Sequence, residues 1–279
     1  MQEFYYRSGH PALGHFPGHH RSRLGDSGQE FRSHVPITHA NDARRLDLLA
    51  SLRDPLGQWL VRLASERKAI PVYAVADLSA SMAYVGRRRR LDVLADFTES
   101  LAWSAWRTGD PFGFVGCDER VRPEWVQPPA RSRGTGSELA RRLRGFAPSG
   151  RGAAGLGEAH RMLRRQRSLV FLLSDFHLPL AELDRVLDSL AMHELVPVLL
   201  WDRAELEPPP ERFGLLTLRD AESGRRRLLW LRPALRERWR SRLEARQDEL
   251  AALFHRHRLR PLWLLDGFDA EAVTAYFHR

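Results

Sequence analysis

Three short apolar runs in this chain each end on an aspartate, and that repeated arrangement restricts the folds open to it. The runs are residues 71–77 (PVYAVAD), 168–174 (SLVFLLS, followed by Asp175) and 195–201 (LVPVLLW, followed by Asp202). Unbroken apolar runs of this length suit strands buried on both faces. Between them, apolar residues at 91, 94, 97, 101 and 105 form one face of a helix over 91–106. Further helices are expected at about 136–146, 155–166 and 179–192. Residues 112–117 and 121–126 read as a strand pair joined by a tight turn at Asp118 and Glu119.

Strand and helix in alternation predict an α/β fold, a doubly wound, mostly parallel sheet flanked by helices. Ligands of such sheets bind at the carboxyl ends of the strands. Asp77, Asp175 and Asp202 therefore predict an acidic rim at that edge, which would attract a cation. The division expected is an N-terminal accessory region at 1–68, a core at 69–204, and a closing part at 205–279. The first contains a partly helical stretch within 42–68, with Leu46, Leu49 and Leu52 at helical spacing. The last contains a hairpin (213–218 with 226–231, around Glu222–Gly224), a long charged helix (233–258), a strand (261–265) and a helix capped by Asp269 (269–277). The hairpin and the first region together predict a small β-containing accessory part.

Residues 77–81 read Asp-Leu-Ser-Ala-Ser at the end of the first buried run. Where a chain leaves a strand and turns, alternate side chains can converge on one point. Asp77, Ser79 and Ser81 then offer one carboxylate and two hydroxyls, the hard oxygen donors that Mg²⁺ takes in octahedral geometry. Asp175, on an adjacent strand, is placed to hold a metal-bound water. The plainer alternative is a helix start capped by serines.

DLSASM (77–82), with LLSDF (172–176) downstream, resembles the metal-ion-dependent adhesion site of von Willebrand factor A domains. The flanking segments resemble one bacterial branch, the domain-of-unknown-function family 58 (DUF58), associated with MoxR-type AAA+ ATPases. They are HRSRLGDSGQEF (20–31), NDARRLDLLASLR (41–53, with Leu48 where tryptophan is usual), WDRAELEPPP (201–210) and LRDAESG (218–224). The resemblance implies a metal site at Asp77, Ser79, Ser81 and Asp175. It also implies a non-enzymatic adaptor that works with a MoxR-type ATPase on the assembly or maturation of a client protein. One departure is clear. The threonine that metal-binding members carry before the LLSDF-type strand falls on Ala153 or Ala154 in GRGAAGLGEAHRML (150–163). The nearest threonine, Thr135, lies one helix too early. Mg²⁺ is thus a conditional cofactor, which a carboxylate from the partner would help to hold.

The net charge of +9 raises nucleic-acid binding as an alternative, but the basic residues are spread along the chain and all but Lys68 are arginine. The tight run Arg87–Arg90 reads as a solvated helix start. A metal-dependent hydrolase on the same acidic rim is the other alternative, but neither a general base nor a nucleophile-positioning group is visible beside Asp77. There is no Walker A loop or Gly-x-Ser-x-Gly elbow, and no dinucleotide glycine fingerprint after the first strand. His10, His15, His19 and His20 sit among prolines and glycines that oppose a helical metal pair. His255 and His257 suit the negative end of a helix dipole. Cys117, the single cysteine, reads as a packed thiol. Trp59 and Trp125 are candidates for an interface. With no secretory leader and no apolar run of about 20 residues, the expected location is the cytoplasm.

Overall fold

A computed structural model describes residues 2–9, 17–21, 30–39, 43–65, 67–206, 214–219 and 226–278. Two small antiparallel pairs come first. β1 (Pro17–Arg21) pairs with β4 (Arg67–Lys68), and β2 (Glu30–Pro36) pairs with β3 (Leu60–Ser65). Between β2 and β3 lies the short helix α1 (Leu48–Leu52), whose start is capped by the Asp47 carboxylate accepting from the Ala50 N–H at 3.0 Å.

The main sheet has six strands: β5 (Val72–Asp77), β6 (Phe112–Cys117), β7 (Val121–Ala130), β8 (Leu169–Ser174), β9 (Glu194–Trp201) and β12 (Leu262–Leu265). They lie in the order β12-β9-β8-β5-β6-β7, and every pairing is parallel except β6 with β7. The expected α/β class with a mostly parallel sheet flanked by helices is what forms. Period-two alternation along β5 supplies both faces. Val72, Ala74 and Ala76 pack with α2 (Arg90–Thr108), α3 (Thr135–Gly145) and α7 (Ala270–His278). Tyr73 and Val75 pack on the other face with the 3₁₀ helix Ala154–Met162, α4 (Leu180–Ser189) and α6 (Pro233–Arg256). The described elements are completed by α5 (Arg203–Leu206) and the hairpin β10 (Gly214–Arg219) with β11 (Arg226–Leu231).

Residues 2–9 have no regular structure, yet Phe4 and Tyr6 are buried in the core. Phe4 lies 5.6 Å from the Phe97 ring and 6.4 Å from that of Phe171. The Tyr6 hydroxyl donates to buried Asp110 at 2.6 Å, and Asp110 also accepts the Ile70 N–H at 2.9 Å. A buried carboxylate is retained here because its oxygens are matched by donors.

Two local expectations change. The helical stretch within 42–68 shrinks to two short 3₁₀ or α turns, because Pro55 and Gly57 (φ +64°) stop α1 and the chain turns into β3. Leu49 and Leu52 are exposed, so the helical spacing there does not mark a core face. The helix expected over 155–166 is instead a 3₁₀ helix ending at Met162. Asp269 caps α7 as expected, accepting the Glu271 N–H at 2.9 Å. Residues His10, His15, Glu222–Gly224 and 207–210, and most of 20–31, lie outside the described residues. Trp125 is buried between Phe114 and Phe146, which removes it as an interface residue, whereas Trp59 is exposed.

Candidate functional site

Parallel β5 and β8 end side by side, and this brings the DLSASM and LLSDF segments to one edge. Asp77 is the last residue of β5 and is buried. One of its oxygens accepts the Ser79 N–H at 2.8 Å, which turns the chain sharply after the strand. The other accepts the Ser174 hydroxyl at 2.7 Å, tying β5 to the end of β8. The turn leads into the 3₁₀ helix Ala80–Ala83. There the Ser79 and Ser81 hydroxyl oxygens stand 3.1 Å apart. The loop before the Ala154–Met162 helix closes over this turn: the Ala80 N–H donates to the Gly150 carbonyl at 2.8 Å. Gly150 permits the close approach, since a Cβ there would meet the Asp118 Cβ at 2.5 Å. Ala153, on the same loop, is buried.

Asp175 follows β8 and is also buried, but its carboxylate faces an arginine. Arg90, the first residue of α2, donates to Asp175 at 2.9 Å and to the Ser81 carbonyl at 2.8 Å. Its second terminal nitrogen pairs with Glu205, and its guanidinium lies 5.0 Å from the Tyr84 ring centroid. The other Asp175 oxygen accepts the His177 N–H at 3.1 Å. The Arg90 and Asp175 side chains are only 4% and 2% exposed, so little solvent screens this pair. The reading of Arg87–Arg90 as a solvated helix start therefore fails at its last residue. Arg87 and Arg88 are exposed, but Arg90 turns inward because α2 packs on the sheet at that point.

The electrostatics separate the two aspartates. Burial, then the nearby charge of Asp175, raises the Asp77 carboxyl to about 6. Burial would also raise Asp175. The charges of His177 and Arg90, with hydrogen bonds from Ser81 and the His177 backbone, outweigh it and hold Asp175 below the usual carboxylate range. Asp202 departs from the expected acidic rim. Its oxygens accept the Arg87 N–H at 2.6 Å and the Ala204 N–H at 2.8 Å. The three strand ends lie along one edge, but Asp202 is taken up by the loop at 86–88 rather than turned to a common point. Among the described residues there is no group of three His, Cys, Asp or Glu arranged to hold a metal. Cys117, beside Asp77 in the sheet, is buried, and burial pushes its thiol up, in keeping with a packed side chain.

The donor set fits a small hard cation in part. Two ligands at right angles around Mg²⁺, each at 2.0–2.1 Å, stand about 3 Å apart. The Ser79 and Ser81 oxygens have that separation, 3.1 Å, next to the Asp77 carboxylate. The Asp77 oxygens accept from the Ser79 N–H on one side and from the Ser174 hydroxyl on the other. Against this, the position that the resemblance assigns to a third hydroxyl holds an alanine, and Asp175 is neutralised by Arg90. Arg90, Ser174 and Glu205 were not singled out by the sequence. Ser174 had a signal, being the serine of LLSDF, and Glu205 lies within WDRAELEPPP, although nothing in that segment marks it as the partner of Arg90.

The chain matches the model of the family described as "Protein of unknown function DUF58" over residues 36–249. A relative from Paracoccus denitrificans, described as an uncharacterized protein in the moxR 3′ region, is 36% identical over 100 residues. That match covers 36% of this chain and 94% of the relative. Among solved structures, an aerotolerance-related membrane protein from Bacteroides fragilis is 13% identical with a TM-score of 0.46, covering 75% of this chain and 97% of that one. BatB from Bacteroides thetaiotaomicron is 13% identical with a TM-score of 0.44, covering 75% and 96%. The vWF domain of the pilus tip protein Mfa5 from Porphyromonas gingivalis is 19% identical with a TM-score of 0.31, covering 38% of each chain. Among the described residues, no helix is long and apolar enough to cross a membrane.

Proposed function

This chain belongs to the DUF58 family, and from that premise we propose that it is a von Willebrand factor A-like interaction module that grips a partner protein through the Asp77 edge of its sheet. The observation that carries the reading is the Ser79–Ser81 hydroxyl pair, 3.1 Å apart beside buried Asp77. Asp77, Ser79 and Ser81 would hold Mg²⁺, and Asp175 would hold a water of its shell. The ion would supply a positive centre for an incoming carboxylate. The chain's own part is to fix the donors. Ser174 and the Ser79 N–H orient the Asp77 carboxylate, and Arg90 holds Asp175 and the Ser81 carbonyl in register.

A Glu or Asp of the partner would complete the coordination, giving a contact that exists only in the complex. The absence of a hydroxyl at Ala153 or Ala154 makes this external donor more important. The partner proposed is a MoxR-type AAA+ ATPase, in keeping with the Paracoccus relative's place in a moxR 3′ region. The role is non-enzymatic: an adaptor in the assembly or maturation of a client protein, in the cytoplasm. Affinity capture from the native host, with Mg²⁺ and with EDTA, tests it. Recovery of an AAA+ ATPase in Mg²⁺ that is lost with Asp77→Ala supports the reading, and its repeated absence in both conditions overturns it.

A further inference from the structure

At the opposite edge of the main sheet, some six strand residues or about 20 Å from Asp77, a cleft of about 980 Å³ is lined by Arg7, Arg167, His193, Glu194, Arg258 and Arg260 among others. Its position follows from the topology. Arg167 comes two residues before β8, Glu194 begins β9, and Arg258 and Arg260 connect α6 to β12. Neighbouring parallel strands thus deliver their basic entry segments to one concave space. The volume is at the upper end of the roughly 300–1,000 Å³ found for small-molecule sites.

Its charge is one-sided. The four arginines are exposed, and none has an ion-pair partner among the described residues. The one carboxylate, Glu194, already accepts the Ser8 hydroxyl at 2.6 Å and the Gly9 N–H at 2.8 Å. One of the arginines is held by a neighbouring ring. The Arg260 guanidinium lies 3.9 Å from the Tyr276 ring centroid, and the Tyr276 hydroxyl donates to the Arg260 carbonyl. Arg258 sits at φ +57° just past the end of α6, a left-handed position that glycine usually fills. His193 is 4% exposed, and its Nδ1 has no hydrogen-bond partner among the described residues. Burial, then the charge of Arg167, lowers its affinity for a proton.

We propose that this cleft binds a compact anion bearing two or more linked phosphates. Guanidinium forks match phosphate oxygens in bidentate pairs. Four forks around one space suit a ligand whose charges are packed closely, whereas an acidic peptide spreads its charges over side chains. Nucleotides and inorganic phosphate chains share this chemistry. The site is separate from the Asp77 edge and does not depend on the adaptor reading.

Calorimetric titration of the full chain with inorganic tripolyphosphate, in EDTA at about 0.15 M salt, tests it. Saturable binding at one site is expected, weakened at least about tenfold in R167E/R260E. R167Q/R260Q should weaken it in the same direction, and the melting temperature of both variants shows whether they fold. R240E, a reversal of an exposed arginine elsewhere on α6, should leave binding unchanged. In a parallel titration, ATP tighter than tripolyphosphate assigns the site to a nucleotide, and equal affinity assigns it to the phosphate chain; both support the proposal. No saturable binding, or equal loss in R240E, overturns it. Much tighter binding of a single-stranded oligonucleotide that displaces tripolyphosphate would also overturn it, in favour of a nucleic-acid surface.

Discussion

Replacing Arg90 with methionine isolates the least expected element of the site. Methionine keeps most of the aliphatic stem, so the packing of the α2 start against the sheet is largely retained. What is lost is the guanidinium that joins Asp175, the Ser81 carbonyl and Glu205. Both members of the Arg90–Asp175 pair are almost fully buried. Removing one partner of a buried pair leaves an uncompensated charge and costs about 3–5 kcal/mol. For a chain of this size each kcal/mol moves the melting temperature by roughly 2–4 °C, so a fall of about 10 °C is expected. Urea unfolding gives the free energy directly, provided the slope is unchanged. Adding Asp175→Asn to Arg90→Met removes the stranded charge and should restore at least about 2 kcal/mol, a coupling expected only between residues in contact. A loss below about 1 kcal/mol for Arg90→Met, the range of an exposed ion pair, would refute the reasoning.

Other outcomes follow from the same geometry. Because the folded-state Asp77 carboxyl is raised to about 6 from 3.8, the native state binds the extra proton. In EDTA, stability should therefore rise as pH falls from about 6 toward 4, by up to about 3 kcal/mol; Asp77→Asn should flatten this window, and a parallel pH profile in both proteins would contradict the assignment. Ala153→Thr or Ala154→Thr should tighten Mg²⁺ binding roughly tenfold by calorimetry if the missing hydroxyl limits affinity; no change in either variant would mean that the loop does not reach the ion. Gly155→Ala should destabilise by more than about 2 kcal/mol in urea unfolding, because a Cβ there would lie 2.3 Å from the Arg120 backbone carbon; wild-type stability would show that the loop beside the site is not tightly packed.

The buried strands were legible because β5, β8 and β9 are covered on both faces and must be apolar throughout. Their aspartates were legible as strand ends for the same reason, since the apolar run has to stop where the chain reaches the edge. What was not legible depended on contacts between distant residues. Leu49 and Leu52 have helical spacing, but local chain stops and exposure decide their fate, not periodicity. Asp202 looked equivalent to Asp77, yet the loop at 86–88 claims it: a Cβ on Gly86 would lie 2.3 Å from the Asp202 carboxyl. Arg90 lies in a run of four arginines, and only the packing of α2 on the sheet distinguishes it from Arg87 and Arg88. The Glu205 contact spans 115 residues of sequence, and nothing local in WDRAELEPPP marks Glu205 as the partner of Arg90.

The central claim is that Asp77, Ser79 and Ser81 form a Mg²⁺-dependent grip, and thermal melting of the purified chain in Mg²⁺ and in EDTA tests it most directly. At a Mg²⁺ concentration about 100 times the dissociation constant, binding to the folded state alone adds about 3 kcal/mol. The account predicts a higher melting temperature in Mg²⁺ than in EDTA, with the difference abolished by Asp77→Ala. If the isolated chain is too weak a binder, the same shift should emerge when a short Glu-containing segment of the captured ATPase is added. Superimposable curves in Mg²⁺ and EDTA, with and without that segment, would contradict it.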